Sequence, residues 1–536
     1  MMKYIKTKKW ILAAIAVCTL GASCTDLEET VYSQILAEET VFTADDLNLI
    51  VATPYANMRG IYWEWEGLFD VYEESSDLYV TPRRTNIGWG AQYILMHQHT
   101  WGPGTSHIES LWFRSYRAIN NANKAILQLE QLEGEGVDNY IAEMKALRAL
   151  CYYILYDNFR NIPLVTQFDV PEGFLPEQAS NQEVYDFIIQ ELTDAMPLLS
   201  QENSGATYGR FTYWGAKMTL AKMYLNSEVY IGTPRWDDAL AEVQDIIDSG
   251  LFSMASDFSD IFAIENENLP ETIYAIPFDQ INASGSYLAY KALLGSSRAT
   301  FDLSGSPWGG SAAIPQFIDT YDEDDQRLED TWIGGPQFTS SGDPLLLNPD
   351  DPDSQLDYIN YIKNVNEADD ADGYRFVRYE IGAGDVGTTS NDVPFFRYTD
   401  ALMIKAECLL RTGFADQAAE IVTDVRQRAF KDTDPSKAVV TGAELMQGSV
   451  YQYGVQEDGV ITNLEGGDDI EYGRFLDELA WEFVGEHHRK QDLIRFGVYT
   501  TKSWFSHTPN GDYREIFPIP LSQMETNPNL TQNPGY

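Results

Sequence analysis

The sequence predicts a mainly α protein, a superhelix of stacked helical hairpins interrupted by a large loop-rich insertion. Two observations carry this. Over about 40–250 and again over about 396–500, apolar residues recur at intervals of three and four, the spacing that lines one face of an α-helix. Between them, over about 255–395, the stripes vanish and Gly, Ser, Asp and Pro become frequent. A third observation excludes disorder. The 536 residues are 44% hydrophobic and 13% aromatic, with 32 Tyr, 25 Phe and 12 Trp, ample for a large core.

The elements follow in order. Residues 1–23 read as an export signal: Lys3, Lys6, Lys8 and Lys9 precede an apolar run from Trp10 to Leu20, which ends in Gly21, Ala22 and Ser23. The run is too short for the ~20 residues of a membrane-spanning helix. It stops at Cys24, a pattern that resembles the lipobox of bacterial lipoproteins, in which the cysteine becomes the lipidated first residue. Several acyl chains at about 0.8 kcal/mol per buried methylene hold a soluble domain to a membrane almost permanently. Residues 24–536 are then a single tethered domain. The stretch Thr25, Asp26, Leu27, Glu28, Glu29 is acidic, as beside the anchor in some surface-displayed lipoproteins.

The first helical stripe, over 108–130, carries Ile108, Leu111, Trp112, Ser115, Ile119, Ala122 and Ile126. The second, over 140–159, carries Ile141, Met144, Leu147, Leu150, Ile154 and Leu155 and stops before Asn161 and Pro163. Helices over 182–199, 212–227 and 236–247 follow, the last closed by Ser249 and Gly250. Downstream, 398–411, 415–428 and 474–485 read the same way. Consecutive short helices of this kind stack as tetratricopeptide-like hairpins. Within the insertion, 272–278 is extended, and 348–357 and 366–373 are polar loops. So much loop inside a compact chain is usually functional. Residues 500–536 are irregular. Past Cys24 only Cys151 and Cys408 remain, both within helical patterns, so free buried thiols are expected and no disulfide framework.

Charge narrows the function. With 82 acidic and 36 basic residues the net charge is −46, and loss of residues 1–23 leaves 82 against 32, a net of −50. Such a surface repels phosphate backbones and anionic lipid, which excludes nucleic acid as a partner. A neutral sugar or a small peptide feels little of this field.

Several segments together resemble the SusD/RagB family of outer-membrane nutrient-binding lipoproteins. The closing run Glu515, Ile516, Phe517, Pro518, Ile519, Pro520, continuing through Asn527 to Tyr536, is similar to that family's last segment. The helix containing Glu478, Trp481, Glu482, Gly485, Arg489, Asp492, Arg495 and Gly497 is similar to the family's helix with its E-G-x-R and D-L-x-R-x-G pattern, with His488 before Arg489 as a departure. Arg397, Tyr398, Asp400, Ala406 and Glu407 match its R-Y-A-D helix, with Thr399 in place of Ala. Trp112, Tyr116, Ile119 and Asn123, then Leu147, Arg148, Tyr152 and Tyr153, match its first hairpin, and Gly209-Arg210 begins another helix in the expected place. The resemblance implies four tetratricopeptide-like helix pairs with a variable loop-rich region on top (a SusD-like fold). It also implies a SusC-type TonB-dependent transporter as partner and a carbohydrate or other nutrient as ligand.

Two aromatic clusters qualify for carbohydrate, whose ring faces stack on flat side chains for about 1 kcal/mol each. One comprises Arg83, Trp89, Tyr93 and Trp101. The other comprises Tyr287, Tyr290 and Trp308, the tryptophan standing beside Gly309 and Gly310. The ligand residues expected are therefore Trp308, Trp89, Trp101, Tyr287 and Arg83. For each tryptophan the competing reading is loop-to-scaffold packing. Trp112 and Trp481 sit on helix stripes and read as core, while Trp63 and Trp65 are assigned to neither. No cofactor is expected. The pairs His97/His99 and His487/His488 lack the H-E-x-x-H spacing of a zinc helix, and the acidic runs 322–325 and 369–372 read as solvated charge rather than structural calcium. No G-x-S-x-G, phosphate-cradling or dinucleotide motif marks an enzyme. Two carboxylates at glycosidase spacing arise by chance among 82 acids. A peptide binder and a lid without affinity of its own remain as the alternatives to a glycan binder.

Overall fold

A computed structural model describes residues 43–62 and 65–536. The signal segment, Cys24 and Trp63 lie outside the described residues. Ala44–Tyr536 form one compact unit.

Six helices build the first part of the scaffold: α1 (Ala44–Tyr62), α2 (Ser106–Leu129), α3 (Val137–Phe159), α4 (Asn181–Ala195), α5 (Tyr213–Leu225) and α6 (Trp236–Asp248). α2 buries the predicted stripe, including Ile108, Leu111, Trp112, Ile119 and Ile126. It turns into α3 through Gly136, whose φ of +86° suits glycine. Ser180 and Glu183 form a capping box at the start of α4, satisfying two backbone donors reciprocally. α3 and α5 are not amphipathic in the same sense. Every residue from Ala146 to Phe159, and from Trp214 to Leu225, is buried, as expected of central helices covered on all sides.

The staircase resumes beyond the insertion with α7 (Tyr398–Arg411), α8 (Ala415–Phe430), α9 (Gly473–Phe483) and α10 (Arg489–Arg495). α1 packs on α2, α2 on α3, α3 on α4, α5 on α6, α6 on α7 and α7 on α8. The contact of α6 with α7 shows that the insertion leaves and re-enters at one place. A strand pair explains why: β1 (Thr272–Ile276) runs antiparallel to β2 (Val393–Arg397), pairing Ile276 with Val393 and Thr272 with Arg397. Inside this clamp most of the chain is loop, ordered by two-residue strand pairs such as Trp332–Ile333 against Arg375–Phe376. Among the described residues no helix is long and apolar enough to cross a membrane.

The residues of the C-terminal motifs are buried charges. Glu478, Glu482 and Glu486 meet guanidinium groups from four other segments. Arg397 binds Glu271 at 2.8 Å and Glu482 at 2.7 Å; Arg327 binds Glu478 at 2.7 Å; Arg426 binds Glu478 at 2.6 Å; and Arg378 binds Glu486 at 2.6 Å. Burial alone would raise these acids, but the guanidinium groups outweigh it and hold Glu478 and Glu482 at about 2. Arg489 grips both oxygens of Asp77, at 2.7 and 2.8 Å across 412 residues of chain. Tyr62 donates to the Gly485 carbonyl over a similar span. These motifs hold the fold together.

Candidate functional site

The two aromatic clusters that the sequence separates by some two hundred residues converge. Trp308 lies 5.6 Å from Tyr287 with the planes 32° apart and 6.0 Å from Tyr290. Trp65 stands 5.2 Å from Trp308 and 5.7 Å from Trp89, so it joins the clusters into one group. Trp65 is 37% exposed, and Trp89, Trp308 and Tyr287 are half-buried. Rings in this state are held by the protein on one side and offer area on the other. The indole N–H of Trp89 is buried without an acceptor, against the backbone at Gly310.

The loop that carries Trp308 is clamped from below. Its N–H donates to the Tyr290 carbonyl at 2.7 Å, and the Gly310 N–H donates to the Lys291 carbonyl at 2.7 Å. Arg84 donates to the Gly310 carbonyl at 2.8 Å. Gly310 is required by packing, because a Cβ there would lie 2.2 Å from Cε2 of Trp89, and Gly309 adopts a φ of +68°. The Trp89 indole therefore lies directly on the backbone beside Trp308.

Beneath this loop the short helix Leu288–Ala292 points a lysine inward. The Lys291 ammonium is ion-paired with Asp70 and lies 3.0 Å from Glu74 and 4.7 Å from the centre of the Tyr93 ring. His107 approaches Asp70 at 3.3 Å and packs edge-on to Tyr93, which in turn meets Trp89 at 5.4 Å. Burial would raise the Asp70 carboxyl, but Lys291 and His107 outweigh it and hold it below its ordinary value. Burial, with Asp70 as a second acid, raises Glu74, although Lys291 pulls the other way. Desolvation would lower Lys291, yet the acids and tyrosinate-capable rings around it raise it. One buried cation thus fixes the helix that seats Trp308 and Tyr290.

Two expected residues stand elsewhere. Trp101 is 1% exposed: its Nε1 donates to the Tyr536 hydroxyl at 2.8 Å, and its ring meets Phe517 at 4.9 Å. It is a core residue covered by the C-terminal segment, and that corrects its assignment to the ligand face. The Arg83 backbone pairs with Val365 and Ala368, and its exposed side chain forms no hydrogen bond or ion pair among the described residues. The arginine tied to the Trp308 loop is its buried neighbour Arg84. Sequence reasoning missed Trp65, whose only signal is a second tryptophan two residues after Trp63. Trp112 and Trp481 are buried, at 3% and 4% exposure, in the core. Cys151 and Cys408 are free and buried. Among the described residues no group of three or more His, Cys, Asp or Glu side chains is arranged to hold a metal ion.

The architecture is that of a helical-repeat scaffold carrying an aromatic cluster drawn from the inserted loop region and from the chain before α2. Residues 270–536 match the SusD family model, and residues 65–225 match a second model described as starch-binding, associating with outer membrane. The chain belongs to the SusD/RagB family. Among curated relatives it is 23% identical to SusD-like protein P25 of Formosa agariphila, over 96% of this chain and 97% of that one. It is 24% identical to the starch-binding protein SusD of Bacteroides thetaiotaomicron, over 88% and 83%. Among solved structures, surface glycan-binding protein A from Bacteroides thetaiotaomicron in complex with laminarihexaose superposes with a TM-score of 0.69 at 18% identity, covering 92% of this chain and all of that one. The fold is therefore SusD-like.

Proposed function

We propose that this protein is a cell-surface glycan-binding lipoprotein, lipidated at Cys24, that captures oligo- or polysaccharide on Trp65, Trp89, Trp308 and Tyr287. It passes the glycan to a SusC-type TonB-dependent transporter in the outer membrane and performs no chemistry on it. The observation that carries this reading is the convergence of four partly exposed rings, drawn from three chain segments, on a seat fixed by Lys291 and Arg84. Flat rings at a few ångströms from one another suit successive sugar faces. Each stack contributes on the order of 1 kcal/mol, so affinity grows with chain length. The names of the relatives above, a starch-binding protein and a laminarihexaose complex, support a carbohydrate ligand. The net charge of −46 favours a neutral one.

The test is affinity electrophoresis of the chain from Thr25 onward through gels containing a panel of polysaccharides. One or more glycans should retard the wild type. Removing two stacks in the Trp89→Ala/Trp308→Ala double variant should weaken binding about 30-fold, the equivalent of ~2 kcal/mol. Unchanged retardation of the double variant would remove these rings from the site, and no retardation by any glycan would favour a peptide ligand.

A further inference from the structure

A cavity of about 310 Å3 lies between α9 and the chain around residue 320. Its lining includes Asp319, Tyr321, Arg426, Phe430, Arg474 and Trp481. That volume is at the lower end of the ~300–1,000 Å3 typical of small-molecule sites. None of the four rings described above borders it.

Most of the charged groups around the cavity are satisfied by one another. Arg426 binds Glu478 at 2.6 Å and also donates to the carbonyls of Lys437 and Ala438. Lys437 bridges Asp322 and Asp324 at 2.6 Å each, and Asp325 holds Arg327. Glu478, one helical turn beyond Arg474, is already shared between Arg327 and Arg426. Three groups are left with capacity. The guanidinium of Arg474 lies 4.5 Å over the Trp481 ring, and its side chain forms no hydrogen bond or ion pair among the described residues. Its Nη1 is buried without an acceptor. The Asp319 carboxylate is exposed and takes one hydrogen bond, from Asn360 at 2.8 Å. The Tyr321 hydroxyl is also buried without a partner.

A guanidinium N–H that has lost water without gaining an acceptor, as Nη1 of Arg474 has, is costly, so a ligand here gains by supplying one. Asp319 needs donors in the same small space. A hydroxyl is both donor and acceptor. An anion would serve Arg474 but would meet Asp319, Asp322 and Asp325 in a chain of net charge −46. We propose that this cavity is a second saccharide site, independent of the aromatic cluster, which holds a single neutral pyranose by bridging its hydroxyls between the Arg474 guanidinium and the Asp319 carboxylate. Trp481, bonded through Nε1 to Thr320 at 2.9 Å, supplies the ring over which Arg474 lies.

The proposal draws on the glycan reading only for the kind of ligand at hand, and its test separates the two. Saturation-transfer NMR on the chain from Thr25 would use methyl glycosides of D-glucose, D-galactose and D-mannose, with sodium D-glucuronate as the anionic probe. At least one neutral glycoside should receive transfer from both the wild type and the Trp89→Ala/Trp308→Ala variant. The signal should fall at least fivefold in Arg474→Met and in Asp319→Asn. The second change is on an exposed side chain and leaves the core untouched, so folding is not in question there. Retardation of wild-type-like polysaccharide binding in gels should be unchanged by either. The proposal is overturned if no neutral glycoside binds, if glucuronate alone binds, if binding disappears with the two tryptophans, or if it survives both cavity variants.

Discussion

Lysine 291 offers the sharpest test of how the aromatic site is held. Its side chain is 2% exposed, and those of Asp70 and Glu74, which share its ammonium, are 0% exposed. Lys291→Met keeps the length of the side chain and leaves two buried carboxylates facing each other. Breaking a buried ion pair by removing one partner costs about 3–5 kcal/mol. With two acids on one cation, the upper half of that range is expected. The pH dependence fixes the cause. In the wild type Asp70 is held below its ordinary value, so its contribution is present above the unfolded pKa and is lost as pH falls through the folded one. In the variant burial raises Glu74 with no cation to oppose it, and at Asp70 only His107 opposes it, so the folded state takes up protons that the unfolded chain releases. That reverses the sign: the variant's deficit is largest at pH 8 and shrinks toward pH 5. Melting temperatures of wild type and variant at both pH values read this directly. Glycan retardation should weaken too, because the carbonyls of Tyr290 and Lys291 carry the Trp308 loop. A variant that melts with the wild type at pH 8, or with an equal deficit at both pH values, would refute the account.

Other consequences are equally open to measurement. Trp101→Ala should lower stability by about 3–5 kcal/mol, as for a fully buried aromatic, yet leave glycan retardation intact in the folded fraction; lost binding at full stability would return Trp101 to the ligand face. Gly310→Ala forces a Cβ to within 2.2 Å of the Trp89 indole, so it should displace that ring and reduce retardation, and an unaltered affinity would show that Trp89 takes no part. Burial holds His97 at about 4 and His99 at about 3, and lowers His507 as well. Since the unfolded chain protonates these rings near pH 6.5, stability should fall as pH drops from ~6.5 toward 4. His507, stacked 3.8 Å from Trp504 with neither ring nitrogen bonded, is the one to replace: His507→Phe should flatten that fall, and an unchanged slope would count against it.

The helical scaffold was legible because α2, α6 and α8 each keep one wet face, which leaves a stripe of period 3.6 in the sequence. α3 shows a stripe from Ile141 to Leu155 although it is buried all round from Ala146 onward, whereas α5, buried from Trp214 to Leu225, carries little. The strand Val393–Arg397 was invisible for the matching reason: all five of its residues are buried, so it shows no alternation, and its last residue abuts the next helix. Two-residue strands leave no pattern at all. At the site, Trp89, Tyr287 and Trp308 stood out because they lie on loops rich in glycine, where a helical core cannot absorb them. Trp101 looked the same locally, but its cover comes from Phe517 and Tyr536, and local sequence carries no trace of partners that remote. The role of Lys291 was hidden likewise, since Asp70 and Glu74 approach it from a segment more than two hundred residues away.

The grip of Arg489 on Asp77 also sets a clock. A chain emerging at about 5–20 residues per second needs roughly 20–80 s to deliver the arginine after the aspartate, across the 412 residues between them. Tyr62 waits as long for Gly485. For that interval the early helices have local order but no completed interior, and the closing of long loops comes last. Contacts placed between the two ends of the sequence cannot form until nearly the whole chain has been made.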